Sequence, residues 1–359
     1  MSFFHQRIEN LKKSMQEKNI EALYVSRLSD VRYLTGFTGS AGIFLVTLKK
    51  AYFFSDRRYE EQADQEVKNA QVHMIKKGYL MDIKSLDLLK DVKRVGFDEQ
   101  ELTVWVFRHI KSLFSDQEWV PFNGQIEKMA AVKDSSEIAF LKKAIDITDE
   151  VFLDIQKDLR IGVSENEIAA KISYLIKVKG GEGDSYDPIV ASGPNSSLPH
   201  ARPSDRCLQK GDFLLMDFGA LYGGYHADMT RTVFVGEPDP KQEEIYRLVL
   251  KSQMAGIDLI KDGVPASSID KACRLVFEEA GIAEKFSHAT GHGIGLEVHM
   301  FPSVSLGNTE PLLENYVITV EPGVYFEGWG GVRIEDDCLV TKEEGISLNS
   351  STKDIVVVG

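Results

Sequence analysis

Two apolar segments joined by a glycine-rich turn stand out in the middle of the chain. One reads FLLMDFG from Phe213, and the other reads MTRTVFV from Met229. Apolar runs of this length on either side of turn residues predict two β-strands connected by a turn. The first strand contains Asp217 and the second follows Asp228, so both carboxylates are predicted to face the interior. Because buried carboxylates repel each other, these acids either cap turns or bind a divalent cation between them.

A second pair of acids has a similar setting near the end of the chain. Glu321 follows the apolar run YVITV, and Glu335 follows the glycine-rich stretch GGVRI, with strands predicted over 316–326 and 331–341. Apolar residues at helical spacing predict two helices ahead of each acidic pair. Their ranges are 135–159, 164–179, 241–261 and 266–280. We therefore predict an internal structural duplication, in which each half supplies two helices and an antiparallel hairpin.

The first part of the chain alternates between strand and helix patterns. Strands are predicted near 22–26, 43–47, 52–55, 71–75, 93–97 and 118–122. Helices are predicted over 3–18 and near 57–66, 82–90 and 103–114. This mixed order indicates an α/β domain over residues 1–124 and a second domain over 125–359, which begins with a linker at 125–134.

Composition excludes several classes of partner. The chain has 359 residues and a formal net charge of −13, which argues against a nucleic-acid binder and against an anionic membrane surface. No apolar run is long enough for a membrane span, and the first residues lack the apolar stretch of a signal peptide. The three cysteines are far apart and are predicted to be reduced thiols. A cytoplasmic location is therefore expected.

A histidine-rich segment lies between the second pair of helices and the second acidic pair. The segment SHATGHGIGLEVHM contains His288, His292 and His299, and its glycines would permit close backbone approach. His200 lies on the long polar loop 180–205, and loops of this length are often functional. A hydrogen-bonded structural role would explain any one of these histidines, but together with four acids they indicate a site.

Four carboxylates and one imidazole form a ligand set that suits manganese, cobalt(II) or zinc. Four acids are too many for one divalent ion, so the sequence predicts two ions. Two such ions about 3.5–4 Å apart can bridge a water and generate a hydroxide nucleophile at neutral pH. His200 and His299 could then donate hydrogen bonds to the oxyanion that develops on an attacked carbonyl.

The order and spacing of these motifs resemble those of the Xaa-Pro peptidases, prolidase and aminopeptidase P, of the pita-bread metallopeptidase family. The matching stretches cover nearly the whole chain: YLTGFTGSAG, MAAVKDSSEIAFLKKA, IVASGPNSSLPHARPSD, MDFGALYGGYHADMTRT, TGHGIGLEVH, ITVEPGVY and GVRIEDD. The resemblance implies an α+β chain. Its N-terminal mixed α/β domain would be of the creatinase/prolidase type, which is RNase H-like. A pita-bread catalytic domain with a pseudo-two-fold duplication would follow.

The resemblance also implies a metal ligand set. It consists of Asp217, Asp228, His292, Glu321 and Glu335. Asp228 and Glu335 would bridge two divalent ions, with manganese favoured and cobalt or zinc as alternatives. Asp217 would complete one ion, and His292 and Glu321 would complete the other.

Further site residues are implied in the same way. Glu321 would also carry a proton from the bridging water to the leaving proline nitrogen. His200 and His299 match histidines that steady the tetrahedral intermediate, and His288 matches a further active-site histidine. Arg333 matches an arginine that orients the site, and a structural ion pair is the alternative for it. The implied substrates are peptides with proline in second position, and the implied assembly is a homodimer.

Two departures from the family pattern bear on the substrate. Met300 replaces an acidic residue that usually follows the second histidine, and residues 301–316 contain no Arg or Lys. Prolidases that cleave dipeptides often have a basic residue there, which binds the substrate carboxylate, so action on longer peptides stays open. Methionine aminopeptidase, creatinase and a non-catalytic pita-bread binding protein are the alternatives. They fit less well, because the five ligands and the first domain are all present.

Overall fold

The computed structural model describes residues 3–359 and divides the chain after Ala130. The strands of the first unit are β1 Ala22–Val25, β2 Ile43–Thr47, β3 Ala51–Ser55, β4 Gln71–Met74, β5 Arg94–Phe97 and β6 Glu118–Pro121. They form one mixed sheet in the order β4-β3-β2-β1-β5-β6. Apolar side chains such as Leu45, Phe54 and Val95 are buried in its core. All six predicted strands are present.

The helices of the first unit are α1 Phe3–Glu17, α2 Leu28–Thr35, α3 Glu60–Glu66, α4 Tyr79–Ser85 and α5 Val104–Leu113, and α6 Gln125–Ala131 crosses the division. The sequence did not predict α2, which ends where Gly36 adopts a left-handed conformation with φ 81°. The segment predicted as a linker is instead helical up to Ala131. It contains no proline or glycine, and Ile126 and Ala130 are buried.

Four long helices belong to the second unit: α7 Ser135–Ile155, α8 Glu165–Val178, α9 Pro240–Ile257 and α10 Ala266–Glu279. All four were predicted. A capping box is present at Ser164 and Glu167, since each side chain accepts a hydrogen bond from the other residue's backbone N–H. None of the helices within 3–359 combines the length and apolar character that a membrane-spanning segment requires.

The strands of the second unit are mostly short. They are β7 Gly183–Asp184, β8 Ile189–Ser192, β9 Phe213–Phe218, β10 Ala220–Tyr222, β11 Tyr225–His226, β12 Met229–Val235, β13 Gly291–Gly293, β14 Met300–Val304, β15 Val317–Val320, β16 Gly323–Phe326, β17 Gly330–Arg333, β18 Asp336–Val340, β19 Gly345–Ser347 and β20 Val357–Val358. The two larger sheets have the orders β20-β12-β9-β8 and β14-β13-β15-β18-β19.

Each half of the second unit packs two helices against one of these sheets. In the first half, Ile147 and Phe152 of α7 and Ile172 of α8 share a buried core with Met216 and Phe218 of β9. In the second half, helices α9 and α10 pack in the same way against the sheet that contains β15 and β18. The antiparallel pairs β9–β12 and β15–β18 occupy corresponding places, which confirms the predicted duplication.

The second acidic hairpin differs from the prediction. Each of its long predicted strands is broken into two shorter ones, so β15 pairs with β18 while β16 and β17 form a separate two-stranded ribbon. The first break comes at Glu321 and Pro322, and the second comes at Ile334 and Glu335. Proline has no backbone N–H to donate to a sheet. Consequently the two carboxylates lie at the ends of strands and not within them.

Hydrogen bonds join the two halves next to these breaks. The N–H of Glu335 donates to the carbonyl of Thr230 at 3.1 Å, and the hydroxyl of Thr232 donates to the carbonyl of Arg333 at 3.0 Å. Arg231 is almost fully buried; its guanidinium donates to the carbonyl of Glu335 and forms an ion pair with Asp336 at 2.7 Å. These contacts place the end of one acidic hairpin against the end of the other.

The charge of Lys133 is buried and is poorly stabilised by the groups around it. Its side chain is 2% exposed, and its Nζ has no hydrogen-bond partner in the described part of the chain. Burial lowers the pKa of Lys133 to about 8, and the nearby carboxylate of Glu137 opposes this shift only in part. The unfolded chain would therefore hold its proton at pH values where the folded chain has lost it.

This difference predicts that stability depends on pH through Lys133. Because the folded pKa lies below the unfolded one, the charged lysine costs stability at pH 7, and the cost shrinks as pH rises from about 8 toward the unfolded pKa. Lys133→Met should raise the free energy of unfolding at pH 7, and its advantage should fall by about 1 kcal/mol between pH 7 and pH 9. Urea unfolding of both proteins at the two pH values measures this. An advantage that does not change with pH would contradict it.

Candidate active site

One pocket of about 400 Å³ in the second unit collects every site residue predicted from the sequence. They are His200, Asp217, Asp228, His288, His292, His299, Glu321, Arg333 and Glu335. These residues are far apart in the chain, and the fold brings them together through strand ends and one loop.

The four acids reach the pocket from corresponding places in the two halves. Asp217 lies on β9 opposite Thr230, and Asp228 comes directly before β12. Glu321 comes directly after β15, and Glu335 comes directly before β18. The hydrogen bonds between paired strands hold the backbone of each acid in place, while its side chain points into open space. Both acidic hairpins therefore present their acids to the same cavity.

His292 enters the pocket on β13, between two glycines that permit close strand contact. A Cβ atom at Gly291 would lie 2.0 Å from the carbonyl oxygen of Thr319, and one at Gly293 would lie 2.2 Å from that of Phe301. No larger residue fits at either position without moving the backbone. The predicted need for glycine beside His292 is therefore confirmed.

The ring of His292 faces carboxylates with its unprotonated nitrogen. Burial lowers the pKa of His292 to about 4, so the ring is neutral at neutral pH. Its Nδ1 lies 3.1 Å from the carbonyl oxygen of Gly293 and donates to it, which leaves a lone pair on Nε2. That Nε2 lies 3.7 Å from Asp228 Oδ2 and 3.6 Å from Glu321 Oε1. A divalent cation between these atoms would satisfy the lone pair and both carboxylate oxygens.

Carboxylate charge in the pocket exceeds the cationic charge that lines it. Burial raises the pKa of Asp228, Glu321 and Glu335 well above their ordinary values, and neighbouring carboxylates raise it further. Among the residues that line the pocket, Arg333 is the one permanently charged cation. Ligand atoms of Asp228, His292 and Glu335 lie within 4.8 Å of one another, which suits a shared metal ion. The donor set therefore fits divalent cations.

Arg333 connects this cluster to the loop that carries His200. Its Nη2 donates to Asp217, its Nε donates to the Thr230 hydroxyl at 3.0 Å, and its Nη1 donates to the Pro199 carbonyl at 3.2 Å. The guanidinium is almost fully buried, and such a group must be fully paired. The ion pair with Asp217 was one of the two alternatives for Arg333, and these contacts are compatible with an orienting role as well.

The other three histidines surround the acids at different depths. His288 is neutral, because burial lowers its pKa to about 4. Its Nε2 lies 2.9 Å from the hydroxyl of Tyr325. The ring of His299 lies edge-on to that of His292, with the ring centroids 4.4 Å apart. His200 is exposed, so it can meet a substrate at the mouth of the pocket.

Two tyrosines that were not predicted as site residues complete the site. The Tyr186 hydroxyl bridges Asp217 and Asp228, although one hydroxyl proton can serve only one of the two bonds. Tyr325 accepts a hydrogen bond from Arg333 at 2.8 Å, and burial raises its pKa to about 12. Tyr186 belongs to the long polar loop and Tyr325 to the EPGVY stretch, so position within those motifs was the only signal for either.

Comparisons with known proteins agree with this geometry. Residues 139–342 match metallopeptidase family M24, and residues 7–132 match the creatinase/prolidase N-terminal domain. The chain belongs to metallopeptidase family M24. The predicted α+β fold, with a creatinase/prolidase-type domain ahead of a pita-bread domain, is thereby confirmed. The predicted boundary between residues 124 and 125 stays a prediction.

Relatives and solved structures of M24 proteins cover nearly the whole chain. A Xaa-Pro dipeptidase of Pyrococcus horikoshii is 34% identical over 99% of this chain and 100% of its own length. The structure of a Xaa-Pro dipeptidase from Bacillus anthracis superposes with a TM-score of 0.96, at 37% identity, over 99% of this chain and 100% of that one. The structure of an X-Pro aminopeptidase from Thermotoga maritima gives a TM-score of 0.90, at 36% identity, over 98% and 99%.

Proposed function

We propose that this metallopeptidase hydrolyses the peptide bond between an N-terminal residue and proline, and that it uses two divalent metal ions. The observation that carries the proposal is the neutral His292 ring, whose lone pair faces Asp228 and Glu321 in a pocket with two further carboxylates. Similar proteins named as Xaa-Pro dipeptidase and X-Pro aminopeptidase support the choice of substrate.

Five side chains would hold the metal ions. Asp228 and Glu335 would bridge them, Asp217 would complete one ion, and His292 and Glu321 would complete the other. When bound, the ions would activate a water molecule as the nucleophile and polarise the substrate carbonyl. Manganese is the favoured metal for this mostly oxygen ligand set, with cobalt(II) and zinc as alternatives.

Glu321 would move the proton that the reaction requires. The bond before proline is a tertiary amide, so its nitrogen has no hydrogen and must gain one before it leaves. The Glu321 side chain is 18% exposed and lines the pocket, so it can reach both the attacking water and the leaving nitrogen. A carboxylate so placed would accept a proton from the water and donate it to the proline nitrogen.

The histidines and Arg333 would stabilise and orient the reacting groups. His200 and His299 would donate hydrogen bonds to the oxyanion that develops on the substrate carbonyl. His288 would hold the Tyr325 hydroxyl in place, because its Nε2 accepts from that hydroxyl. Arg333 would fix Asp217 and, through the Pro199 carbonyl, the segment next to His200. A homodimer in the cytoplasm is proposed as the working form.

The pocket lining bears on the length of the substrate. Arg333 is its one permanently charged cation, and its guanidinium already pairs with Asp217 and donates to Tyr325. Among residues 3–359, no other lysine or arginine lines the pocket to bind the C-terminal carboxylate of a dipeptide. We therefore propose that peptides longer than two residues are accepted, which is aminopeptidase P-like action, with strict dipeptidase action as the alternative.

A length series at fixed metal concentration tests both proposals. The peptides Xaa-Pro, Xaa-Pro-Yaa and Xaa-Pro-Yaa-Zaa would be incubated with the manganese-loaded enzyme, and release of the first residue would be measured. Tripeptides should be cleaved at least as fast as dipeptides, because no free cation in the described pocket lining would bind a carboxylate directly after proline. A dipeptide-only pattern would overturn the proposed length preference. Cleavage of Met-Ala-Ser but not of any Xaa-Pro peptide would instead favour a methionine aminopeptidase.

A further inference from the structure

We infer that Glu165 is a positioning residue that holds both ends of the loop carrying His200. Glu165 is the first residue of α8 and is 0% exposed. Its carboxylate accepts hydrogen bonds from five donor groups, all of them on the segment between Ser192 and Ser204. The inference rests on the proposed function only for the part that His200 plays in the reaction.

Each of the two carboxylate oxygens binds one end of the segment. Oε1 accepts from the backbone N–H of Ser192 at 2.7 Å, and Oε2 accepts from the backbone N–H of Ser204 at 3.0 Å. The hydroxyls of the same two serines donate as well, and Asn195 donates to both oxygens at 3.1 Å. One buried side chain thus fixes where the segment leaves β8 and where it returns.

The position of His200 depends on the backbone around it, because its ring has no hydrogen bond of its own within residues 3–359. The His200 side chain is exposed at the mouth of the pocket. The Pro199 carbonyl is fixed by Arg333 from the pocket side, and Glu165 fixes the two ends from the other side. Loosening either end should let the imidazole leave the place where a substrate carbonyl would lie.

Glutamine at position 165 cannot replace the carboxylate. A glutamine side chain has one carbonyl oxygen and one NH₂ group, and the NH₂ group cannot accept a hydrogen bond. Whichever way the amide is turned, either the Ser192 or the Ser204 backbone N–H loses its acceptor. Glu165→Gln keeps the size of the side chain and removes one of the hydrogen bonds that hold an end of the segment, while the proposed metal ligands stay on other elements.

The test combines a kinetic cycle with hydrogen exchange on the full-length manganese-loaded protein. In Glu165→Gln, kcat for an Xaa-Pro-Yaa peptide should fall on the order of tenfold, while manganese affinity stays within about twofold. Adding Glu165→Gln to His200→Ala should cost less than about twofold more, because the residue that Glu165 positions is already gone. Amides of residues 192–204 should exchange faster in Glu165→Gln.

Glu137→Gln is the matched control. Glu137 is also buried in the first turn of the neighbouring helix α7, and it accepts hydrogen bonds from the backbone N–H of Asp134 and the hydroxyl of Tyr225. Its effect on kcat should multiply with that of His200→Ala, and exchange at 192–204 should not change. If Glu165→Gln does not fold, Ser204→Ala removes one donor and should show the same pattern at smaller size.

The outcomes separate this inference from the proposed function. Unchanged exchange at 192–204 in Glu165→Gln, or an effect that multiplies fully with His200→Ala, overturns the positioning role. If the metal-loaded wild type cleaves no Xaa-Pro peptide, the proposed function fails, and the exchange measurement alone then decides whether Glu165 holds the loop. Faster exchange together with a non-multiplicative kinetic cycle supports the inference.

Discussion

Asp228→Asn should abolish peptide hydrolysis, with kcat/KM lower by at least about a thousandfold, or about 4 kcal/mol of transition-state stabilisation. Asp228 lies at the centre of the cluster: it contacts Tyr186, faces the His292 lone pair and is grouped with Glu335. The neutral amide of asparagine is a poor replacement for a carboxylate that would bind both divalent ions. Manganese binding by calorimetry and hydrolysis of an Xaa-Pro-Yaa peptide measure the loss.

The same substitution should not unfold the protein. The amide carbonyl of Asn can still accept from Tyr186, and the backbone N–H of residue 228 still donates to Asp337. Removing one of four mutually repelling carboxylates should make the metal-free variant at least as stable as the metal-free wild type. Asp239→Asn is a suitable control, since it changes a helix N-cap outside the pocket to another good N-cap residue. A fully active Asp228→Asn enzyme would contradict the assignment.

Removing the metal should have an effect of similar size, with loss of hydrolysis and recovery when manganese, cobalt(II) or zinc is added back. The pocket lining holds four carboxylates near one arginine, and the bound ions would supply the positive charge that lowers the pKa of the attacking water. Free metal at about a hundred times the dissociation constant of a site should stabilise the wild type by about 2.7 kcal/mol for each ion that binds. Thermal unfolding of chelated and reloaded protein measures this.

Asp228→Asn again supplies the comparison for metal removal. Its unfolding temperature should change little when manganese is added, because a bridging ligand is missing. Activity of the wild type that survives complete removal of metal would show that the pocket works without ions. A metal-induced stabilisation of equal size in both proteins would show that the ions bind elsewhere.

The acids of the site could be predicted because strand patterns constrain them tightly. Asp217 interrupts an apolar run and Asp228 directly precedes another, and a buried charge in such a place requires a physical explanation. Glu321 and Glu335 repeat that pattern, and the glycines beside His292 indicate close backbone contact. Each of these signals is local in the sequence, so no knowledge of tertiary contacts was needed to find them.

The residues that were missed depend on tertiary contacts. Tyr186 lies in an irregular loop, where no periodicity indicates which side chains turn inward. Glu165 follows a helix N-cap, where an acid is ordinarily explained by the helix dipole, and its bonds to Ser192 and Ser204 come only from the folded loop. The break at Pro322 was also missed, because apolar residues lie on both sides of it and such a run is typical of one continuous strand.

The central claim is that five side chains from distant parts of the chain converge on a pair of divalent cations. Crystals grown with manganese, with anomalous diffraction recorded at the manganese edge, test it most directly. We expect two strong peaks in the pocket about 3.5–4 Å apart, with Asp228 and Glu335 in contact with both. An anomalous map without peaks there, while the same carboxylates are joined only by hydrogen bonds, would contradict the claim.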